Sequence, residues 1–419
     1  MNTKTTHLKA WLVSLSAALF FLYEFIQMHI FNAISDAIKI AFNINATELG
    51  FLSSTYLWGN VILSIPAGML LDRFSTRTII LTALSGCIIG TIGFAMSHSF
   101  VMAAFFHCLS GCGNAFCFLS CMILIARWFH LDRQAFVVGI VVTMAFLGGL
   151  ISQTPFTYLV EWAGWRMALV FDGGLGCFFF LLIFLNVEDS SENSHKTNNV
   201  ENIFNLYALK TALKNIQNTL AGFYTCLLNL PIMLLDAVWG ISYLKTVYGL
   251  GSIQSANVAS MIFLGSIVSC PFVGFISDKW QSRRNIMMLG ALFSFISVSL
   301  IVFINQWSYP SLLILFFIIG FCTSTQILSY PVVIEGNAKV LTGTAMGLVS
   351  TIIISGAAIA QIVFGKLLDL GWEGLATNGQ RIYSINAYNQ AMLIFPAAIG
   401  IGLLLSFFIR EKREHVKLL

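Results

Sequence analysis

The chain has 419 residues, of which 58% are hydrophobic and only 10% are charged, and its mean hydropathy is +0.84. A soluble domain carries about 25% charged residues, so this composition excludes an ordinary water-soluble protein and indicates a membrane protein. The net charge of +4 is small, and there is no basic cluster with interleaved aromatic residues. We therefore expect the lipid bilayer as the partner of the surface and no nucleic acid.

Apolar stretches of about 20 residues, the length of a membrane-crossing helix, recur along the chain. The first begins at Trp11 after a short polar segment, and we interpret it as a retained helix and not as a signal peptide. The twelve predicted spans, numbered in chain order, are 11–32, 48–70, 78–96, 100–126, 135–157, 167–186, 219–244, 253–276, 285–304, 309–333, 342–366 and 388–409. The predicted fold class is an all-α membrane protein with twelve transmembrane helices.

Basic residues are divided unevenly between the two sets of loops. Of the 22 Lys and Arg residues, 17 fall in the termini and in the loops after spans two, four, six, eight and ten. Because cytoplasmic loops carry the basic excess, both termini are predicted to be cytoplasmic. We call this side the predicted cytoplasmic side and the other the predicted outer side. The expected location is a bacterial-type cytoplasmic (inner) membrane.

The longest hydrophilic stretch, residues 187–217, divides the chain in the middle. It predicts three parts: an N-terminal six-helix bundle over 1–186, a cytoplasmic linker over 187–217 and a C-terminal six-helix bundle over 218–419. The first part of the linker is rich in Ser and Asn and is predicted to be flexible. Residues 206–216 could form an amphipathic helix on the membrane surface.

A short loop sequence occurs once in each half. The loop after span two reads GMLLDRFSTR (68–77), and the loop after span eight reads GFISDKWQSR (274–283). The matching pairs, each 206 residues apart, are Gly68 with Gly274, Asp72 with Asp278, Arg73 with Lys279, and Arg77 with Arg283. Two halves of six like-oriented spans indicate parallel repeats about an axis normal to the membrane.

Over nearly its whole length, the chain resembles the major facilitator superfamily of secondary transporters. Its loop after span two keeps the Gly, the Asp-Arg pair and a following basic residue, but has Ser75 where the family usually has Gly. The resemblance implies two six-helix bundles, alternating access and a gating cluster that holds the halves together on the cytoplasmic side. The alternative is that these residues are only topology signals. The gating candidates are Gly68, Asp72, Arg73, Arg77, Asp278, Lys279 and Arg283.

We identify two acids well inside spans, Glu24 in span one and Asp236 in span seven. A central charge costs about 2.5–3.5 kcal/mol on insertion scales, so such residues usually face a cavity or a partner. Glu24 is the candidate for proton coupling; the alternatives are a hydrogen bond to a neighbouring helix or a contact to a substrate amine. Asp236 either shares this role or lies at the outer mouth, where it could pair with Lys245 or with a basic loop residue.

Uncharged polar residues within the spans are candidates for lining a substrate cavity. Each alone more often bonds a neighbouring helix, but we expect a third to a half of the set to face the cavity. The candidates are Gln27, Tyr56, Asn60, Asn114, Gln153, Asn229, Gln326, Tyr330 and Gln361. Two glycine pairs with GxxxG spacing, Gly86 with Gly90 and Gly343 with Gly347, predict close helix approach.

No Lys or Arg lies near the middle of any span, which disfavours a small, strongly anionic substrate. The leading hypothesis is proton-coupled uptake of a small neutral, zwitterionic or cationic solute, such as an amino acid or similar nutrient. The alternative is proton-driven efflux of drugs or metabolites, which the absence of a Gly-Pro-Gly-Gly pattern in span five disfavours. Sodium is the alternative coupling ion.

The sequence offers little for other function classes. It has no Gly-rich phosphate loop and no plausible nucleophile or metal constellation, so we expect no enzyme activity, no cofactor and no metal. A sensor would usually need a cytoplasmic signalling domain, for which the linker and the short C-terminal tail leave no room. The chain is expected to act as a monomer on a small-molecule substrate.

Overall fold

The computed structural model describes residues 3–189, 206–280, 282–304, 306–338, 341–377 and 380–411. Eleven helices within these ranges are long and apolar enough to cross a membrane. These eleven helices correspond to predicted spans one and three to twelve. Predicted span two corresponds to the 28-residue helix Ala46–Arg73. The expected all-α membrane fold is confirmed.

The described residues of the first half, 3–186, form eight helices. They are Thr3–His29, Phe31–Phe42, Ala46–Arg73, Thr76–Ala95, Phe100–Trp128, Leu131–Ser152, Thr154–Ala163 and Trp165–Asn186. The helix of span one ends at His29, and after a break at Ile30 the separate helix Phe31–Phe42 follows on the predicted outer side. Span five is interrupted between Ser152 and Thr154, because Pro155 lies at the start of the next helix, the position that proline favours.

The second half has more irregular turns. After the linker helix Leu206–Lys214, its helices are Ile216–Leu228, the π-helix Pro231–Trp239, Gly240–Tyr248, Ser252–Trp280, Arg283–Phe303, Tyr309–Thr323, the 3₁₀ turn Ser324–Leu328, Ser329–Gly336, Thr342–Leu370, Ile385–Met392 and Ile394–Ser406. Two short antiparallel strands, Ala376–Thr377 and Gln380–Arg381, precede span twelve. The expected linker helix is present, whereas the expected flexible segment falls on residues 190–205, outside the described residues.

An acidic residue closes each half on the predicted cytoplasmic side. Asp189, after span six, accepts hydrogen bonds from the Ser75 hydroxyl and, at 3.1 Å, from the backbone N of Thr76 at the start of span three. Glu411, after span twelve, accepts bonds from the Ser282 hydroxyl at 3.3 Å and from the backbone N of Arg284 at the start of span nine. Each carboxylate meets the positive end of a helix dipole. We call Asp189 and Glu411 the capping carboxylates.

The two halves approach each other closely along spans two and eleven. A Cβ at Gly50 would overlap the carbonyl oxygen of Gln361, and a Cβ at Gly365 would overlap that of Ala46. Spans five and eight meet in the same way, with Gly149 against the ring of Phe263. The contacts between spans two and eleven lie toward the predicted outer side, because they involve the start of span two and the end of span eleven.

Candidate functional site

Glu24 lies in a polar group inside the first half, shielded from solvent. Its side chain has 0% exposure, and the Tyr56 hydroxyl donates to it, 2.7 Å from Oε2 and 3.0 Å from the backbone oxygen. The Asn114 amide donates to the Tyr56 oxygen at 2.9 Å, and Asn60 in turn donates to Asn114. Oε1 accepts no hydrogen bond within the described part of the chain.

The spacing of small and polar residues explains this arrangement. Tyr56 and Asn60 lie four residues apart on span two and therefore share one face. A Cβ at Gly113 would be 2.7 Å from Oε1 of Glu24, so the glycine makes room for the carboxyl group against span four. The four polar side chains thus form a chain of hydrogen bonds across spans one, two and four. Of the nine predicted cavity residues, three are joined to Glu24 in this way.

A third buried acid was missed. Asp172 lies in span six, has 3% exposure and accepts a hydrogen bond from the Gln27 amide at Oδ2. The Thr91 hydroxyl donates to Oε1 of Gln27 at 2.9 Å. The count of two acids inside spans was therefore wrong, although Asp172 falls five residues inside the predicted span 167–186 and its position was a sufficient signal.

Asp236 is fully buried, and neither of its carboxylate oxygens has a hydrogen-bond partner in the described structure. It lies in the π-helix that begins at Pro231, and such wide turns occur often at functional sites. The alternative that Asp236 pairs with Lys245 is wrong, because the Lys245 ammonium lies 2.9 Å from Asp36. The acid thus remains buried near the contact between the halves without a cation beside it.

Gln153 belongs to the contact between the halves. Its amide donates to the backbone oxygen of Asp236 at 2.8 Å and accepts from Asn32 at 2.8 Å. Asn32 also accepts a bond from the backbone N of Ile241 at 3.0 Å. These bonds join spans one and five to span seven. Gln153 had been predicted only as a residue that lines the cavity.

The other candidates lie in the second half. Gln326 donates to Asn229 at 3.2 Å, which joins spans ten and seven, and the half-buried Tyr330 lies one turn further along. Gln361 is buried and donates to the backbone oxygen of Met233 at 3.1 Å. The described hydrogen bonds do not connect this group to Glu24.

Asp36 forms a charged contact across the halves on the predicted outer side. Its carboxylate lies 2.9 Å from Lys245 and accepts from Ser242 at 2.7 Å, both in the second half, and lies 2.9 Å from Lys39 in its own helix. Burial alone would raise the pKa of Asp36, but the charges of Lys39 and Lys245 outweigh this effect and hold the pKa below its usual range.

Asp369 forms a second contact of this kind at the end of span eleven. It accepts bonds from the backbone N and the hydroxyl of Thr47, at 2.8 and 2.5 Å, at the start of span two. Arg381 at 3.0 Å and the Tyr383 hydroxyl at 2.6 Å complete the group, and Tyr383 itself accepts from the backbone N of Ala46 at 2.9 Å. The carboxylate therefore meets the N-terminus of a helix in the other half.

The gating candidates are described only in part. Arg77 donates to the backbone oxygen of Phe184 at 2.6 Å, and Arg283 forms a two-pronged pair with Glu335, at 2.6 and 3.2 Å. The Arg77 contact stays within the first half, and the Arg283 contact stays within the second half. Gly68 lies against Leu119, and Lys279 is exposed. The side chains of Asp72, Arg73 and Asp278 lie outside the described residues.

Comparison with protein families gives a match over most of the chain. A family model described as Major Facilitator Superfamily matches residues 13–361 and 259–417. The cis,cis-muconate transport protein of Acinetobacter baylyi is 24% identical over 401 residues, which cover 90% of this chain and 89% of that protein. The probable sulfoacetate transporter SauU of Cupriavidus necator is 22% identical over 393 residues, covering 89% and 87%.

Solved structures show the same fold. The crystal structure of a bacterial homolog to the human lysosomal transporter Spinster, in an inward-facing and occupied conformation, superposes with a TM-score of 0.76. The match covers 95% of this chain and 96% of that one at 15% identity. At that identity the likeness concerns the architecture alone.

Proposed function

Because this chain belongs to the Major Facilitator Superfamily of secondary transporters, we propose that it imports a small organic solute together with protons by alternating access. The observation that carries the proposal is the burial of Glu24, which has one side-chain hydrogen-bond donor and no cation beside it among the residues that the structure describes. An ionised carboxylate in such a place is costly, whereas a neutral carboxyl group is tolerated. Glu24 therefore carries a proton in the closed state and releases it when a conformational change admits water.

The substrate class follows from the charges in the spans. Buried acids at positions 24, 172 and 236 are not matched by any Lys or Arg at similar depth in the sequence. Asp236 has two unbonded oxygens near the contact between the halves, which suits an ammonium group of the solute. A neutral, zwitterionic or cationic solute such as an amino acid is therefore the first candidate.

An organic anion is the second candidate, and the names of the two relatives favour it. Those proteins are named for the transport of cis,cis-muconate and sulfoacetate. For this chain, an anion would have to be bound by hydrogen-bond donors such as Asn60, Asn114 and Gln326, since the basic residues lie near the ends of the spans. Protons carried by the acids would then offset its charge.

The charge asymmetry supports a cytoplasmic location of both termini and an N-terminal bundle over 1–186 that moves against a C-terminal bundle over 218–419. The Asp36 and Asp369 contacts hold the outer side closed in this arrangement. The gating cluster of Asp72, Arg73 and Arg77 would form its contacts on the cytoplasmic side when the halves close there. The protein acts as a monomer in the inner membrane.

The test is uptake into proteoliposomes with an acidified exterior. The labelled probes are alanine, a dialanine peptide, cis,cis-muconate and sulfoacetate, with a sodium gradient at equal pH as a separate arm. We expect one of the first two to accumulate with the pH gradient and Glu24→Gln to abolish accumulation. The exposed Glu161→Gln variant is the matched control and should transport normally.

Each result has a defined meaning. Accumulation of only the anions overturns the substrate class, and accumulation driven only by sodium overturns proton coupling. Normal pH-driven accumulation by Glu24→Gln removes the coupling role of Glu24. Transport of alanine out of preloaded proteoliposomes against its concentration gradient would favour the export alternative.

A further inference from the structure

The function proposed above counts Asp172 only among the buried acids without a matching basic residue, yet this residue repeats the pattern found at Glu24. In each group one oxygen accepts a hydrogen bond, from Tyr56 at Glu24 and from Gln27 at Asp172, while the other oxygen accepts none from the described residues. Both side chains are nearly or fully buried in the core of the same half. The bonded oxygen suits the carbonyl of a neutral carboxyl group, and the unbonded oxygen can carry its hydrogen.

Gln27 joins Asp172 to span three. Its amide nitrogen donates to Oδ2 of Asp172, and its Oε1 accepts from the Thr91 hydroxyl at 2.9 Å. The same hydroxyl lies 3.0 Å from the backbone oxygen of Cys87, so its single hydrogen is shared between two acceptors. In this arrangement Asp172 has one donor at Oδ2, and its proton can leave from Oδ1 while Gln27 keeps that bond.

Among the described residues, acids and neutral groups face Asp172 from the packed elements, and no cation does. Tyr23 and Glu24 approach from span one and Cys87 from span three, each close enough to feel its charge. The one acid of the helix Thr154–Ala163, Glu161, is exposed. Arg166, at the start of span six, instead donates to the backbone oxygens of Ala95 and Ser97, at 2.6 and 2.7 Å. An ionised Asp172 would thus lack a compensating charge.

We infer that Asp172 is a second proton-carrying residue, which gains and loses its proton during the transport cycle alongside Glu24. The step moves one hydrogen ion between Oδ1 and water, and no other bond forms or breaks. The inference rests on the proposed function and deepens it, because the N-terminal half then carries two exchangeable protons. Gln27 is a positioning residue for this exchange.

The test is infrared spectroscopy of the full-length protein in lipid, with protons as the only ligand. The carbonyl stretching band of neutral carboxyl groups is recorded as the pH is raised from neutral to alkaline, where exposed carboxyls, with a pKa of ~4.3, are already ionised. We expect Asp172→Asn to remove one carboxyl group's share of the pH-dependent band and Glu24→Gln to remove another. Glu161→Gln should leave the band unchanged.

The outcomes separate this inference from the proposed function. If Asp172→Asn keeps the full wild-type change, Asp172 is a structural residue and the inference is overturned. Loss only in Asp172→Asn refutes the role of Glu24 and leaves the inference standing. If Asp172→Asn does not fold, ¹³C-labelled aspartate in otherwise wild-type protein and in Asp236→Asn gives the answer, since a pH-dependent aspartate band must survive in the latter.

Discussion

The ammonium of Lys245 lies 2.9 Å from the carboxylate of Asp36, although the two residues belong to different halves of the chain. Lys39 reaches the same carboxylate at 2.9 Å from within its own helix. The pair of lysines offers a matched comparison, because only Lys245 joins the halves. The Gln380 amide donates to Asn43 across the halves at 2.7 Å, so the distance between labels at positions 43 and 380 reports whether the outer side is closed.

Replacing Lys245 by Met should favour opening of the outer side. Both side chains are more than a third exposed, so the pair contributes only about 0.2–1 kcal/mol, which corresponds to at most about a fivefold change in the open population. Labels carried by non-natural residues avoid the nine native cysteines, and electron spin resonance gives the distance distribution. Lys39→Met is the control and should change this population less. Equal effects of both variants would contradict a specific role of the cross-half pair.

The Asp36 contact should resist acid. Because neighbouring lysine charges depress the pKa of Asp36 in the closed state, its stabilisation is fully present above the ordinary aspartate pKa of ~3.9. It is lost only as the pH falls through the lowered value. Between neutral pH and about pH 5, wild type and Asp36→Asn should therefore show the same pH response of the label distance. A response in this interval that Asp36→Asn abolishes would show that Asp36 titrates there.

Loss of the Asp369 charge should open the outer side more than loss of the Lys245 charge does. Asp369 accepts four bonds, two from the other half, and hydrogen bonds to charged groups contribute about 1.5–3 kcal/mol. For Asp369→Asn we expect about a tenfold to hundredfold larger open population at the same pair of labels. Glu373→Gln is the control, since Glu373 bonds Ser384 of its own half at 2.9 Å. An effect no greater than that of Lys245→Met would contradict the ranking.

A methyl group at Gly50 should prevent complete closure of the outer side. The added Cβ would overlap the carbonyl of Gln361, and overpacking of this kind costs about 1–3 kcal/mol. Gly347→Ala on span eleven is the matched control, because an added Cβ there meets no atom within 4 Å. Chemical labelling of buried Ser35→Cys from the outside should rise in Gly50→Ala and stay at the parental level in Gly347→Ala.

Tyr56→Phe should weaken the polar group at Glu24. The change removes the hydroxyl that donates to Oε2 and accepts from Asn114, and leaving buried polar groups unpaired costs about 1–3 kcal/mol. We expect a lower midpoint of thermal unfolding in detergent and weaker proton-driven uptake. Tyr158→Phe, which alters an exposed tyrosine, should match wild type in both measurements. An unchanged midpoint would mean that water replaces the hydroxyl.

Hydropathy predicts the spans well because each membrane helix must be apolar along its own length. The predicted span 100–126 corresponds to the helix Phe100–Trp128, and the predicted span 78–96 corresponds to Thr76–Ala95. Within these limits, the sequence also located Glu24 and the neighbours Tyr56, Asn60 and Asn114, without saying that they bond one another. Asp172 was predictable from position alone and was overlooked.

Contacts between distant helices were beyond such reasoning. The Asp36–Lys245 pair depends on how two halves are rotated and displaced, which no local pattern records. The same holds for close approach: Gly90 does meet the backbone of span four, but Gly86, Gly343 and Gly347 meet nothing within 4 Å. Gly50 and Gly365, which carry the actual approach of spans two and eleven, are not in a GxxxG pair.

The capping carboxylates have a mechanical consequence. Since Asp189 and Glu411 fasten the last span of each half to the start of its third span, neither half relies on the intervening polypeptide for its integrity. Covalent continuity between residues 189 and 206 should then be dispensable. Two co-expressed fragments, 1–189 and 206–419, are expected to reassemble in the membrane, as co-purification would reveal, and Asp189→Ala should impair that reassembly.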